Sequence, residues 1–362
     1  MLVDPKFWAG RRVLVTGHTG FKGAWLALWL SEMGAEVTGL ALPADEVSLF
    51  NQIGAAGFLR HVEGDIRDAA LVDAVVADAA PQTVFHLAAQ PLVRLSYDEP
   101  RETFATNVQG TAHVLDACRR VDGLEAIVAV TSDKCYRNNE WVWPYRETDA
   151  LGGHDPYSAS KAAAEIVIAS YRQSFFSAPG TALLASVRAG NVIGGGDWAK
   201  DRLVPDIVRA IIAGEPVLIR SPHAIRPWQH VFEALGGYLL IAQHLANGDT
   251  RFADAWNFGP SPADAKPVSW IVERMLARWG SGNFELTGAG GRHEAGVLKL
   301  DCSKAQWELG WRPAFDLSAT IDRIIEWHQA HVAGEDAAAV SRRQLADYHA
   351  RMNAALQESE KS

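Results

Sequence analysis

The sequence predicts an α/β fold: a Rossmann-type doubly wound parallel sheet with a smaller C-terminal substrate-binding lobe. Three observations predict it. A β-branched run, Val13-Leu14-Val15, leads into a glycine-spaced turn and then an apolar helical stretch from Ala24 to Met33. Strand-like runs follow at Glu36 to Leu40, Leu59 to Val62, Thr83 to Leu87, Ala126 to Thr131 and Leu183 to Val187, each separated by helical spacing. After Asn191 the texture changes to glycine, proline and tryptophan, as in Gly194-Gly195-Gly196-Asp197-Trp198 and Arg226-Pro227-Trp228, which break regular elements.

These changes divide the chain into a dinucleotide-binding Rossmann domain over 1–190 and a substrate-binding lobe built from 191–230 and 258–335. Helical spacing at Glu233 to Ala246 and a buried strand at Trp256-Asn257-Phe258-Gly259 return 231–257 to the first domain. A C-terminal helix over 336–362 carries Leu345, Tyr348, Met352 and Leu356 on one face, for packing on its own subunit or for a dimer contact.

With 48% hydrophobic and 21% charged residues, the composition is that of an ordinary globular protein. No apolar run is long enough to span a bilayer, which points to a cytoplasmic protein with no membrane partner. Three scattered cysteines without a CxxC pair fit a reducing compartment and exclude a disulfide framework or zinc site. A net charge of -9 without a basic stripe argues against nucleic acid. Phosphate-bearing ligands must therefore be met locally.

Gly17-His18-Thr19-Gly20-Phe21-Lys22-Gly23 is such a place. Its GxxGxxG spacing after a strand and before a helix lets backbone N–H groups and the positive helix end face a pyrophosphate. Asp65-Ile66 and Leu87-Ala88-Ala89-Gln90 close two further strands at the end where ligands of open α/β sheets collect, Asp65 as an acceptor for adenine. The acidic residue expected to grip the ribose about 20 residues past the glycines is absent, since the strand ends Gly39-Leu40-Ala41-Leu42; no basic residue replaces it. NAD is expected, with NADP left open. His18 has no partner at ligand spacing, so no metal is expected.

Tyr157 and Lys161 stand one helical turn apart, where an ammonium favours the phenolate that takes a proton from an alcohol. Ser132, after the fifth strand, can bond the same reacting oxygen. With this triad the chain resembles the extended short-chain dehydrogenases/reductases acting on nucleotide sugars, from about Arg11 to Pro313. Asp133-Lys134 resembles the hexose 4,6-dehydratases, most of which carry Glu at the second position; the Lys fits the branch acting on CDP-glucose. That branch is also resembled by the glycine loop through Trp25, by Asp155-Pro156-Tyr157-Ser158, by Arg188 to Trp198 and by Ile225 to Val231.

The resemblance implies conversion of CDP-glucose to its 4-keto-6-deoxy product by internal hydride transfer through NAD, in a homodimer. Tyr157 would be the base at the 4-hydroxyl, Asp133 the general acid, and Lys134 either the C5 base or an ion-pair partner. Arg226, Arg202 and Asn191 are expected to hold the diphosphate and sugar, and His293-Glu294 to close over the nucleotide ribose. The competing readings are another nucleotide-hexose 4,6-dehydratase, a 4-epimerase on the same fold, or a non-catalytic dinucleotide-binding regulatory protein.

Overall fold

The computed structural model describes residues 3–287 and 297–359. Its strands of three residues or more, in chain order, are β1 (Arg12–Thr16), β2 (Glu36–Ala41), β3 (Arg60–Glu63), β4 (Thr83–His86), β5 (Ala126–Val130), β6 (Leu183–Ala189), β7 (Asn191–Ile193), β8 (Val217–Ile219), β9 (Trp228–His230), β10 (Ala255–Phe258) and β11 (Phe284–Leu286). Seven of them form one parallel sheet in the order β10-β6-β5-β4-β1-β2-β3. Strand order reverses between β1 and β4, whose last residues Thr16 and His86 are register partners. A crevice opens at that switch point, beyond the carboxyl ends of both strands.

Helices cover both faces, as strands of uniform apolar character require. On one side α1 (Phe21–Glu32) packs with a later helix, Val231–Ala246; on the other lie α2 (Ala69–Ala79), α3 (Thr111–Cys118) and α4 (Pro156–Phe175). Numbering on, α5 (Leu203–Ala213), α6 (Val231–Ala246), α7 (Val268–Trp279), α8 (Leu317–Val332) and α9 (Ala337–Ser359) complete the set used below. A third core joins α5, α7 and α8 around β8, with Ile207, Ile271 and Ile321 fully buried.

Every expected strand is present within a residue or two. The first helix begins earlier than its apolar run, at Phe21, because Gly20 caps it directly out of the glycine turn. The stripe on α9 packs within the chain: the Tyr348 ring lies 5.6 Å from Trp29 and 5.3 Å from Phe232, and Leu345 is buried. The Leu356 side chain lies outside the described residues. Trp25 of α1 donates its indole N–H to the Gly195 carbonyl at 3.0 Å, fastening the glycine loop's helix to the start of the second lobe. Among the described residues no helix is long and apolar enough to cross a membrane.

Candidate functional site

One cleft of about 1190 Å³ runs from the switch point into the second lobe. Its nucleotide end is made of backbone. Gly17 has φ +77°, and a Cβ there would stand 2.7 Å from the Ala88 nitrogen, so only glycine lets the turn approach the end of β4. Gly20 caps α1 without a side-chain acceptor, which leaves first-turn N–H groups facing the cleft. Thr19, Phe21, Lys22, Gly23, Asp65, Ile66, Leu87, Ala88 and Ala89 line the same space. The Asp65 carboxylate grips Arg67 at 2.6 and 2.8 Å, and that bond holds it below the usual carboxylate range.

Gln90 departs from expectation. Its side chain donates to the Thr103 hydroxyl at 2.9 Å and accepts from the Leu92 N–H, so it pins the loop after β4 and is not among the cleft-lining residues. Asn107, which sequence reasoning missed, works beside it, donating to Ser160 at 2.8 Å and to the Gln90 carbonyl at 3.1 Å. The loop is thereby tied to α4. His18 serves the structure as well. Its ring fills the space above Gly39, where a Cβ would meet it at 2.3 Å, and its Nε2 lies 2.7 Å from His61 Nδ1. Burial and the neighbouring His61 lower the His18 pKa to about 4.

The other end is made of side chains. Ser132 ends the extended segment after β5 and caps a short 3₁₀ turn, Asp133–Cys135, its hydroxyl accepting from the Lys134 N–H at 3.2 Å. The same hydroxyl donates to Asp133 Oδ1 at 3.0 Å. Asp133 Oδ2 is buried with no hydrogen-bond partner in the described structure. Burial raises the Asp133 pKa, against the pull of Lys134, Ser132 and Arg226. Asp155 caps α4 by accepting from the Ser158 N–H at 2.9 Å, and Pro156 at the first helical position fixes the entry to Tyr157. Ser96 also anchors that entry, accepting from the Tyr157 N–H at 3.1 Å.

Ser132 lies close enough to Tyr157 to act on its phenol, so the two separated stretches meet. Burial nevertheless pushes the phenol up to about 12, and the groups that oppose it are Ser132 and Arg202. Burial lowers Lys161 to about 8, and the charge that most opposes the shift is Glu165, one turn further along α4. Lys22 falls to about 7 through burial and the cations Lys161 and Arg202. Beneath them His86 is held by Thr16 at 2.7 Å and Thr111 at 3.0 Å, with burial and Lys161 lowering it to about 3.

The second lobe supplies Asn191, Arg202 and Arg226 to the cleft wall. Asn191 sits on β7, paired with Trp228 of β9. Arg202 is bound to Asp197 at 3.1 Å. Arg226 is buried and donates to the Ile225 carbonyl at 3.0 Å. Arg94 and Arg220, not singled out from sequence, reach the same wall, both close to Asp201. His293 and Glu294 lie outside the described residues.

The model of the NAD dependent epimerase/dehydratase family matches residues 13–259, the span that holds the glycine turn, Ser132, Tyr157 and Lys161. The chain belongs to this family. Among curated relatives, a CDP-glucose 4,6-dehydratase of Salmonella typhimurium is 52% identical over 96% of this chain and 98% of its own length. A dTDP-glucose 4,6-dehydratase of Streptomyces antibioticus is 32% identical over 88% and 92%. Of the solved structures, MoeE5 in complex with UDP-glucose and NAD superposes with a TM-score of 0.73 at 26% identity, covering 88% of this chain and 99% of its own. A UDP-glucose 4-epimerase of Thermotoga maritima shares the fold, with a TM-score of 0.76 at 21% identity over 88% and 99%.

NAD is the cofactor of this family, and the residues present fit it. The side-chain-free turn at Gly17 and Gly20 offers N–H groups to a pyrophosphate, and the small residues Ala88 and Ala89 leave open the path from Asp65 to Tyr157.

Proposed function

We propose that this chain dehydrates CDP-glucose to CDP-4-keto-6-deoxyglucose. The observation that carries the reading is Asp133: a carboxyl raised by burial, with one oxygen unpartnered, in the same turn as Ser132 and facing the cleft. Exchange of configuration at C4 has no use for a resident acid, whereas loss of the C6 hydroxyl needs one. The 52% identity to a CDP-glucose 4,6-dehydratase supports the choice of base and sugar.

In this reading bound NAD supplies the hydride acceptor for C4 and the hydride donor for C6. Tyr157 takes the proton of the sugar 4-hydroxyl while Ser132 holds the same oxygen. Once C4 is a ketone the C5 hydrogen is acidic, and Lys134, half-buried at the cleft, removes it as Asp133 protonates the departing C6 hydroxyl, which leaves as water; Lys134 then returns a proton to C5 as hydride reaches C6. Lys161 keeps positive charge beneath Tyr157. Arg226 and Arg202 grip the diphosphate, and Asn191 bonds the sugar or its phosphates, with 191–230 and 258–335 forming the lobe that holds them.

A second copy of the chain is expected to pair through the helices that expose Phe104, Ile166 and Phe175. Three buried free cysteines suit a cytoplasmic location.

Incubation with CDP-, dTDP- and GDP-hexoses tests the function: CDP-glucose alone should give the alkali-induced absorbance of a 4-keto-6-deoxy sugar. Formation of the C4 epimer instead would overturn it. Lys134→Met should keep the fold and NAD binding while abolishing solvent deuterium exchange at C5, and retained exchange with turnover would remove Lys134 from the mechanism. Tyr157→Phe should bind NAD yet form no 4-keto intermediate; unimpaired hydride transfer would rule out the triad.

A further inference from the structure

The catalytic turn and the catalytic helix both end on a buried ion pair that the reaction does not touch. Glu165 stands one turn beyond Lys161 on α4, and its carboxylate is fully engaged. One oxygen accepts from the Thr131 hydroxyl and from Arg188 Nε at 2.9 Å; the other accepts from Arg188 Nη2 and the Ser186 hydroxyl, each at 2.8 Å. Arg188, on β6, donates through Nη1 to the Tyr136 hydroxyl at 2.8 Å. Thr131 immediately precedes Ser132, and Tyr136 immediately follows the 3₁₀ turn. Both ends of the segment carrying Ser132, Asp133 and Lys134 are thus tied to one carboxylate and its guanidinium.

We propose that Glu165 is a positioning residue for the reaction: through its pair with Arg188 it fixes the turn bearing Ser132, Asp133 and Lys134 against the helix bearing Tyr157 and Lys161. This rests on the dehydratase reading above. Stability alone does not account for the pair, because desolvating two charges offsets most of their attraction and apolar side chains of similar volume would serve as well. What the pair adds is direction. Charge-assisted, bidentate bonds fix orientation, and a misplacement of about 1 Å near reacting atoms lowers rate about a hundredfold. Glu165 also adds charge, since it opposes the burial that weakens the Lys161 ammonium.

The test compares Glu165→Gln and Glu165→Asp with the parent, and adds Glu165→Gln combined with Arg188→Met, which removes both charges so that no lone guanidinium is left buried. The doubly substituted protein should unfold near the parent's midpoint yet keep a loss in kcat of ~100-fold, with KM for CDP-glucose changed less than threefold. Glu165→Asp should recover part of kcat. Competitive acetylation of Lys161, read by mass spectrometry, follows its ammonium without any substrate. Its midpoint should fall by ~1 pH unit in Glu165→Gln, and the alkaline limb of kcat should move with it.

An unmoved Lys161 midpoint together with kcat within threefold of the parent in the doubly substituted protein would overturn the proposal. So would a kcat loss that merely tracks the unfolded fraction. Should the parent turn over none of the sugar nucleotides, the dehydratase reading falls, while the Lys161 midpoint still decides whether Glu165 governs that ammonium.

Discussion

Among the described residues two glutamates are buried, and they behave oppositely. Glu165 and Glu233 are 3% and 0% exposed, and burial alone would raise both. Glu165 is nevertheless held below the usual carboxylate range, because the Arg188 guanidinium meets it with two bonds. Glu233, on α6, has only neutral donors: the Ala314 and Phe315 N–H groups and the Tyr348 hydroxyl. Burial pushes it up to about 7. A cation, rather than the number of hydrogen bonds, decides whether a buried carboxyl stays ionised. The ionised one braces the site; the titrating one joins α6 to α9.

The comparison breaks most sharply at Arg188→Met, which leaves Glu165 with neutral donors alone. Stability should fall by about 3–5 kcal/mol, measured by urea unfolding. Lys161 and Arg172 still act on Glu165, so its carboxyl should rise only part of the way toward that of Glu233, and the variant should lose more stability than the parent as pH rises.

Glu233→Gln is the next largest. The folded Glu233 value lies above its unfolded value of about 4.5. Its contribution is therefore fully present below that pH and lost as pH rises to about 7. Glutamine should leave stability unchanged at pH 5 and raise it by about 2 kcal/mol at pH 8. A gain of equal size at both pH values would show that Glu233 does not titrate on folding.

The smallest effect is expected at Tyr348→Phe, which removes one donor to the ionised carboxyl. A loss of about 1 kcal/mol is expected, larger at pH 8 than at pH 5 in thermal melts. Equal losses would assign the hydroxyl to packing alone.

The parallel strands were legible because each is a short apolar run bounded by turns, and their burial on both faces leaves little ambiguity. The glycine turn was legible because backbone approach admits no substitute at Gly17. Tyr157 and Lys161 stand out in sequence because they are one helical turn apart, and Ser132 because it follows a strand end, whereas Asp133 was read through the family resemblance. Glu165 and Arg188 were not singled out: the pair joins a helix to a strand with no periodicity linking them, and each alone resembles an ordinary charged residue. The bracing role of Gln90 was hidden for a related reason. Its place at a strand end suggests a ligand contact, but Thr103 and the Leu92 N–H, both supplied by the tertiary fold, claim its amide. The short pairing of β8 with β11 also escaped notice, since three-residue strands lie below what alternation can resolve.

The indole of Trp25 reaches from the glycine loop's own helix to the Gly195 carbonyl, and a Cβ at Gly195 would collide with the Trp327 ring at 2.2 Å. At this point the two halves of the molecule are riveted, and prising them apart would strand a buried donor at a cost of about 1–3 kcal/mol. Across the cleft, Arg94 and Arg220 meet Asp201 at 3.3 and 3.9 Å in partly exposed contacts of the kind worth ~0–1 kcal/mol. The two halves are therefore held more firmly at Trp25 and Gly195 than at Asp201, on the cleft side.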